Sequence, residues 1–396
     1  MYRIGIEETE AVGRVIAGKV LFRRGNPEAG HQQEVEKFEA EWAGKIGSEY
    51  SLLLSGGGTA AIITALAALG IGPGDEVLVP AYTWMASATA VLNVGAIPVL
   101  CEVDETLGLD PNDVRAKISP ATKAIIPVHI VGRPADMNSL MSIAREHNLY
   151  VVEDACQCDG GSYKGRRVGS YGDFGAFSFN DFKIISCGEG GALVTNNRTW
   201  FDRARIYHDS LSSFPHCGIE DLSVPAFVGL QFRASEVMGA ILRVQLQRLD
   251  GILDDLRKYG KRFVAELSDV PNLRFAPSND PEGDCHVVVA FQFDDETTAR
   301  KFATSENVGG YLPVDSGRHL YFNWDAMIEK RIGHHPAMNP FAHPDNANLQ
   351  KEYSPEMCPI TNDITRRTVF IAVNPDWTDE QATERIAACR LSAQNL

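Results

Sequence analysis

Residues 51–70 carry the sequence Ser-Leu-Leu-Leu-Ser-Gly-Gly-Gly-Thr-Ala-Ala-Ile-Ile-Thr-Ala-Leu-Ala-Ala-Leu-Gly, and this stretch decides the fold. Its apolar start predicts a short buried strand, its glycines predict a turn, and its alanine- and leucine-rich remainder predicts a helix that ends at Gly70. Strand-like runs recur downstream, separated in the first part by helical patterns, at residues 76–80, 97–103, 123–130, 150–154, 175–179 and 192–196. This alternation is typical of an α/β unit with a mainly parallel central sheet flanked by helices.

Helices are predicted on both sides of this unit. Before it, apolar residues at steps of three and four predict a helix; they are Val35, Phe38, Trp42 and Ile46. After it, a polar segment at 208–221 is interpreted as an ordered loop. A second apolar stripe then predicts a long helix over 234–267.

The C-terminal part of the chain predicts a smaller α+β unit. Its strand-like runs are residues 286–293 and 368–373, and its helical patterns are residues 296–305 and the segment from Thr378 onward. The region 312–366 is rich in His, Pro and Asn and is predicted to form loops. We therefore expect a large domain over residues 1–250 and a small domain over residues 251–396.

The composition narrows the classes of protein. The chain has 396 residues, and 37 Lys and Arg against 52 Asp and Glu give a net charge of −15. An acidic chain without a basic run argues against nucleic-acid binding, which depends on neutralising phosphates. No apolar run approaches the ~18 residues of a membrane span, and the first residues do not form a signal peptide, so we expect a cytoplasmic protein. The cysteines and histidines have no zinc-site spacing, so we expect reduced thiols and no metal.

Three segments of the large unit can carry chemistry. The glycine turn before Thr59 would offer N–H groups and a positive helix end to an anion, although close packing explains the glycines equally well. Asp154 ends an apolar strand where parallel sheets bind ligands, and a helix end or an arginine would also account for it. Lys183 lies in an apolar stretch that favours its free amine as a nucleophile, unless the side chain extends to the surface.

The three segments occur in the order that pyridoxal 5'-phosphate requires. The phosphate of this cofactor needs N–H and hydroxyl donors, and its pyridine nitrogen needs a carboxylate that keeps it protonated. Its aldehyde needs a lysine with which to form a Schiff base. A turn at Thr59, a carboxylate at Asp154 and an amine at Lys183 supply one group for each need.

Further motifs surround these segments. They are Gly58-Thr59, Gly-Pro-Gly-Asp-Glu-Val-Leu-Val-Pro-Ala-Tyr-Thr-Trp at 72–84, Glu-Asp-Ala-Cys-Gln at 153–157, Gly-Asp-Phe-Gly-Ala-Phe-Ser-Phe at 172–179, Lys183 with Cys-Gly-Glu-Gly-Gly at 187–191, Gly-Leu-Gln-Phe-Arg at 229–233 and Gln-Leu-Gln-Arg-Leu at 245–249. In this set the chain resembles the DegT/DnrJ/StrS aminotransferases, the sugar aminotransferase branch of the fold type I pyridoxal-phosphate transferases. The resemblance runs from about Phe22 to the C-terminus and is strongest over residues 31–250.

The resemblance implies a role for each matching residue. Lys183 would form the Schiff base, Asp154 would contact the pyridine nitrogen, and Gln157 would lie beside the ring oxygen. Trp84 would stack on the ring face. The residues that would hold the phosphate are Gly58, Thr59 and Ser178.

At three positions the chain departs from the family pattern. Some relatives take a phosphate contact from the partner subunit through an asparagine, and Gln231 occupies that position here. Gly56 and Gly57 stand where relatives have Asn and Ser, so any side-chain contact from these two positions is lost. The resemblance also implies a homodimer with its sites near the subunit interface.

The resemblance implies a pyridoxal-phosphate aminotransferase that moves an amino group from L-glutamate or L-glutamine to a keto or aldehyde carbon of a sugar, cyclitol or related intermediate. The segments 280–284 and 366–379 look most like the branch acting on 8-oxo-octulosonate, and antibiotic precursors remain open. Relatives that act as sugar dehydratases have histidine in place of Lys183, so the lysine favours transamination. The alternatives are a dehydratase or lyase on the same scaffold and a non-catalytic cofactor-binding regulator.

Overall fold

A computed structural model of the chain describes residues 2–213, 221–349 and 352–396. Its helices are α1 Ile6–Ala17, α2 Glu34–Ile46, α3 Gly57–Leu69, α4 Ala86–Asn93, α5 Pro111–Lys117, α6 Met137–His147, α7 Arg198–His208, α8 Glu236–Leu267, α9 Glu296–Ala303, α10 Asp325–Ile328, α11 Pro359–Arg367 and α12 Asp379–Gln394. Its strands are β1 Tyr50–Leu54, β2 Glu76–Pro80, β3 Ile97–Cys101, β4 Thr122–Ile125, β5 Tyr150–Asp154, β6 Ser162–Tyr163, β7 Arg166–Arg167, β8 Phe174–Ser178, β9 Gly191–Thr195, β10 Arg274–Phe275, β11 Val288–Gln292, β12 Gly310–Tyr311 and β13 Thr368–Ala372.

The large sheet has seven strands in the order β1-β9-β8-β5-β4-β2-β3. The neighbouring pairs from β8 to β3 are all parallel, whereas β9 runs antiparallel to both β1 and β8. The predicted α/β fold with a mainly parallel sheet is therefore confirmed. Strands β2 and β5 have the predicted bounds, and β4 ends at Ile125, five residues before the predicted end.

The sheet topology brings distant motifs to one edge. Because β9 is antiparallel to β1 and to β8, strands β1, β8 and β5 run in the same direction. Their carboxyl ends, together with the amino end of β9, therefore lie at the same edge of the sheet. Ligands of parallel sheets bind at this edge.

Helices flank the sheet and pack against it through apolar residues that repeat with helical spacing. Most of α3 is buried, as expected of a helix that is apolar on all sides. In α2, Phe38 lies edge-on to Phe179 at 5.6 Å between ring centroids, and Trp42 lies edge-on to Phe177 at 5.0 Å. The predicted stripe of α2 is thus buried, and it anchors the helix beside β8.

The C-terminal part forms a second, antiparallel sheet in the order β10-β11-β13-β12. Helices α9 and α12 have close to the predicted bounds. The expectation of loops over 312–366 is wrong for α10 and α11, because helices this short give little periodicity in the sequence. The proline of α11 occupies its first helical turn, where proline is tolerated. The long predicted helix is α8, which continues past residue 250, and the proposed domain boundary stays a prediction.

Helix α1, which sequence analysis did not assign, packs Ala11 and Val15 against Ala240 of α8. Residues 214–220 of the predicted loop at 208–221 lie outside the described residues. Within the described ranges, no helix has the length and apolarity required to cross a membrane.

Candidate active site

The turn after β1 presents hydrogen-bond donors at the shared sheet edge. Helix α3 begins at Gly57, so the N–H groups of its first turn lack intrahelical acceptors and carry the positive end of the helix dipole. Gly57 has a φ of +69°, which glycine adopts without strain. The hydroxyl of Thr59 makes no hydrogen bond with any residue that the structure describes. These donors together form a potential anion site.

The first turn of α3 packs directly against the ends of β5 and β8. A Cβ added to Gly58 would lie 2.4 Å from the Sγ of Cys156 and 3.2 Å from the Cβ of Ser178. The first distance is shorter than real Cβ atoms show and the second is tight, so glycine is required at position 58 unless its neighbours move. Gly58 and Ser178, which sequence analysis assigned to one phosphate site, are therefore adjacent.

The Asp154 carboxylate is held at the end of β5 by two hydrogen bonds. The side chain of Ser87 donates to Oδ2 at 2.7 Å, and the N–H of Cys156 donates to Oδ1 at 3.2 Å. The Oγ1 of Thr83 lies 2.9 Å from the Oγ of Ser87. Because Ser87 gives its only hydroxyl hydrogen to the carboxylate, Thr83 is the donor to Ser87. Asp154 is only 5% exposed, and this relay holds its carboxylate in a fixed position.

Gln157 and Glu153 belong to the same motif but have different surroundings. The Oε1 of Gln157 accepts a hydrogen bond from the N–H of Val131 at 3.0 Å, which leaves the amide NH₂ as its free end. Glu153 is fully buried and accepts hydrogen bonds from His129 and from the N–H groups of residues 169, 171 and 172. Gln157 can therefore donate to a ligand oxygen, whereas Glu153 fixes the loop before β8.

Lys183 follows β8 in a turn closed by its N–H, which donates to the carbonyl of Asn180 at 3.1 Å. Its half-buried side chain makes no hydrogen bond or ion pair within the described part of the chain. Its charge acts on Asp159, which is fully buried and whose two carboxyl oxygens have no hydrogen-bond partner among the described residues. Burial raises the pKa of Asp159 well above its ordinary value, Lys183 opposes this shift and Asp154 adds to it.

Trp84 provides an aromatic face beside the same edge. Its ring is 38% exposed and lies 5.4 Å from the ring of His319 in an edge-on arrangement. Burial, together with the charges of Lys183 and Arg318, lowers the pKa of His319 to about 4. His319 is therefore neutral at neutral pH, and it connects the C-terminal part of the chain with the candidate site.

Gln231 directly precedes Phe232, whose carbonyl accepts a hydrogen bond from the N–H of Ser55 at the start of the glycine turn, at 2.8 Å. Its backbone forms a bridge with Asp209, and its neighbours Leu230 and Phe232 donate to the carbonyls of Tyr207 and His208. Its side chain is exposed and makes no hydrogen bond within the described ranges. The predicted phosphate contact across a subunit interface stays a prediction.

The residues at the sheet edge fit pyridoxal phosphate. Free N–H groups and two hydroxyls, those of Thr59 and Ser178, form a cradle in which a Cβ at position 58 would not fit. A carboxylate with a fixed position, an amine without a partner and an exposed aromatic face meet the remaining needs of the cofactor. Among the described residues, no group of three or more His, Cys, Asp or Glu side chains is arranged to hold a metal ion.

Sequence analysis missed four residues that shape this site. Ser87 and Thr83 follow β2 and gave no signal, because a hydroxyl near an aspartate is visible only in three dimensions. Asp159 lies two residues beyond Gln157, and nothing in its neighbourhood predicts that it is buried without a partner. His319 was considered only among histidines without zinc-site spacing, and the structure identifies Trp84 as its neighbour.

Comparison with curated proteins relates the chain to sugar and cyclitol transaminases. It is 37% identical over 255 residues to a dTDP-3-amino-3,4,6-trideoxy-alpha-D-glucose transaminase of Streptomyces venezuelae, covering 63% of this chain and 65% of that protein. It is 35% identical over 254 residues to an L-glutamine:2-deoxy-scyllo-inosose aminotransferase of Streptomyces kanamyceticus, covering 61% and 59%. The chain thus spans less than two thirds of the length of these relatives.

Solved structures and the family profile extend the similarity over the fold. An aminotransferase from Psychrobacter cryohalolentis superimposes with a TM-score of 0.80 at 26% identity, covering 100% of this chain and 98% of the other. Streptomyces venezuelae DesV superimposes with a TM-score of 0.76 at 28% identity, covering 99% and 95%. The profile of the DegT/DnrJ/EryC1/StrS aminotransferase family matches residues 7–308. The resemblance inferred from the motifs is confirmed: the chain has the fold of the pyridoxal-phosphate sugar aminotransferases and belongs to the DegT/DnrJ/EryC1/StrS aminotransferase family.

Proposed function

We propose that this protein is a pyridoxal 5'-phosphate-dependent aminotransferase acting on a sugar or cyclitol. The observation that carries the proposal is the convergence of four features at one sheet edge. They are the donor cradle at Gly58, Thr59 and Ser178, the hydrogen-bonded Asp154, the unpaired Lys183 and the exposed ring of Trp84. Membership in an aminotransferase family supports this assignment.

Each group has a defined task in this proposal. The N–H groups of α3 and the hydroxyls of Thr59 and Ser178 hold the phosphate. Asp154 keeps the pyridine nitrogen protonated, and Ser87 fixes the orientation of its carboxylate. When bound, pyridoxal phosphate supplies an aldehyde that takes up the amino group and a ring that accepts electron density.

Lys183 is the nucleophile and the proton carrier. Its Nζ has no partner among the described residues, so this amine would be the group that holds the cofactor. With the amino donor bound, the same amine would take the proton from the α-carbon of the donor. A single residue thus serves as nucleophile and as general base.

The names of the relatives support the substrate class. They act on a nucleotide-linked amino sugar and on an inosose, and one of them uses L-glutamine as donor. We assign L-glutamate or L-glutamine as the amino donor here. The acceptor is a keto or aldehyde carbon of a sugar, a cyclitol or a related intermediate, such as an octulosonate or an antibiotic precursor.

The protein is proposed to be a homodimer located in the cytoplasm. Exposed apolar side chains flank both Lys183 and Gln231, among them Phe182 at 80% and Val228 at 83% exposure, and burial of these side chains supports a homodimer. The seven cysteines of the described residues are free, even though the Sγ atoms of Cys158 and Cys285 lie 3.7 Å apart. Free thiols support a cytoplasmic location.

The experiment that tests the function follows the absorbance of the cofactor and the products in one reaction. The yellow holoenzyme should lose its long-wavelength band on addition of L-glutamate or L-glutamine and release one equivalent of the oxo acid. Lys183→Ala should bind cofactor and lose turnover by at least about two to four orders of magnitude, the usual cost of a lost general base. Lys123→Ala, at an exposed position, is the matched control.

Three results would contradict the proposal. A lyase or dehydratase would consume the sugar without forming oxo acid from the donor. A regulator that only binds cofactor would show no spectral change with either donor. After borohydride reduction, a cofactor label on a lysine other than Lys183 would refute the site.

A further inference from the structure

The segment from Gly317 to Tyr321 is hydrogen-bonded to the chain that follows β2. The N–H of Thr83 donates to the carbonyl of His319 at 2.9 Å, and the N–H of Tyr321 donates to the carbonyl of Ala81 at 3.1 Å. Tyr82 and Leu320 form a β-bridge between these two bonds. The backbone of residues 318 and 319 is therefore fixed beside Trp84.

Arg318 places a positive charge over the exposed ring of Trp84. Its guanidinium carbon lies 5.8 Å from the ring centroid. Over residues 2–213, 221–349 and 352–396, its side chain makes no hydrogen bond and no ion pair. An arginine stacked on an aromatic ring keeps its five N–H donors in a fixed plane, an arrangement that matches the two oxygens of a carboxylate.

The charges around His319 indicate that this part of the site is positive. Among the described residues, the charges that lower the pKa of His319 are those of two cations, Lys183 and Arg318. The protein as a whole carries a net charge of −15, so this cluster runs against the general charge of the molecule. Arg318, a cation without an ion-pair partner among the described residues, therefore favours an anionic ligand at this end of the site.

We propose that Arg318 binds a carboxylate group of a substrate at the Trp84 side of the site, next to the ring of His319. The inference rests on the proposed aminotransferase function, because it specifies the substrates of that site. The carboxylate has two possible sources. It is either the α-carboxylate of the amino donor or the acid group of an acceptor such as a keto-aldonic acid.

The test measures affinity with and without the guanidinium. Arg318→Gln removes the charge, Arg318→Lys keeps it without the planar fork, and Arg331→Gln removes an exposed arginine from the same C-terminal region as a control. Calorimetry with the holoenzyme measures binding of L-glutamate, 5-keto-D-gluconate and uncharged scyllo-inosose. Rapid mixing measures the half-saturating concentration and limiting rate of each half-reaction.

Loss of a charge-assisted hydrogen bond predicts an increase of about 10- to 100-fold in the half-saturating concentration of the carboxylate, with little change in limiting rate. An increase for L-glutamate identifies the donor as the source, and an increase confined to 5-keto-D-gluconate identifies the acceptor. Arg318→Lys should lie between Arg318→Gln and the wild type. Binding of scyllo-inosose should not change.

Two outcomes would overturn the inference. In the first, the affinities of the Arg318 variants for carboxylates stay within about twofold of those of the wild type and of the Arg331→Gln control. In the second, the wild-type protein binds neither L-glutamate nor 5-keto-D-gluconate. A wild-type protein that binds L-glutamate through Arg318 but never releases an oxo acid would instead contradict the proposed function and leave the carboxylate site standing.

Discussion

Replacing Ser87 by alanine should slow the proposed reaction by about one to two orders of magnitude without unfolding the protein. Ser87 is fully buried and donates to the Oδ2 of Asp154 at 2.7 Å, a hydrogen bond to a carboxylate. Such bonds contribute about 1.5–3 kcal/mol, and about 1.4 kcal/mol corresponds to a tenfold change in rate. Without Ser87, only the longer bond from the N–H of Cys156, at 3.2 Å, fixes the orientation of the carboxylate.

The assay compares kcat and the cofactor spectrum across a small set of variants. Thr83→Val should cost less than Ser87→Ala, because Thr83 acts on Asp154 only through Ser87, and Thr83→Ser should restore the rate. Ser51→Ala is the matched control, since it removes a buried hydroxyl that has no hydrogen-bond partner among the described residues. The reasoning is refuted if Ser87→Ala stays within about twofold of the wild type, or if Ser51→Ala loses as much activity.

The remaining predictions concern stability and assembly. The raised pKa of Asp159 means that the folded state keeps its proton to higher pH than the unfolded state, so its ionisation costs no stability below the unfolded pKa and destabilises the fold as pH rises above it. Asp159→Asn should therefore gain about 1–3 kcal/mol relative to the wild type as pH rises above the ordinary pKa of aspartate, measured by thermal unfolding at several pH values, and parallel curves would contradict this. Sedimentation under assay conditions should show a homodimer whose contacts bury Phe182 and Val228, and an active monomer would disprove it.

The parts of the fold that are predicted best from the sequence are those whose apolar residues, spaced as in a strand or a helix, are also the buried ones. Strand β5 has the predicted bounds because its apolar run is buried and ends at a residue that needs polar partners. The stripe of α2 predicts its buried face because side chains three and four residues apart lie on one side of a helix. In both cases the relevant neighbours are close in sequence or fixed by periodicity.

Contacts between distant segments could not be predicted in this way. Thr83 and His319 are joined by a hydrogen bond, yet they are separated by most of the chain, and neither lies in a periodic segment. The partner of Asp154 is likewise a serine from the helix after another strand, which no spacing rule indicates. These contacts depend on how the segment after β2 meets the C-terminal part of the molecule, and only the assembled structure contains that information.

The structure gives a physical reason for the glycines at positions 56 and 57, where relatives have Asn and Ser. Sequence analysis interpreted them as two lost side-chain contacts to the phosphate. In the structure, Gly57 has a φ of +69°, where other residues are strained by about 1–2 kcal/mol. A Cβ on Gly56 would lie 2.8 Å from the Cβ of Ala60, and a Cβ on Gly191 would lie 2.4 Å from the carbonyl of Gly57. Packing therefore opposes a side chain at position 56, and backbone strain opposes one at position 57. The proposed phosphate site accordingly consists of backbone N–H groups and the hydroxyls of Thr59 and Ser178.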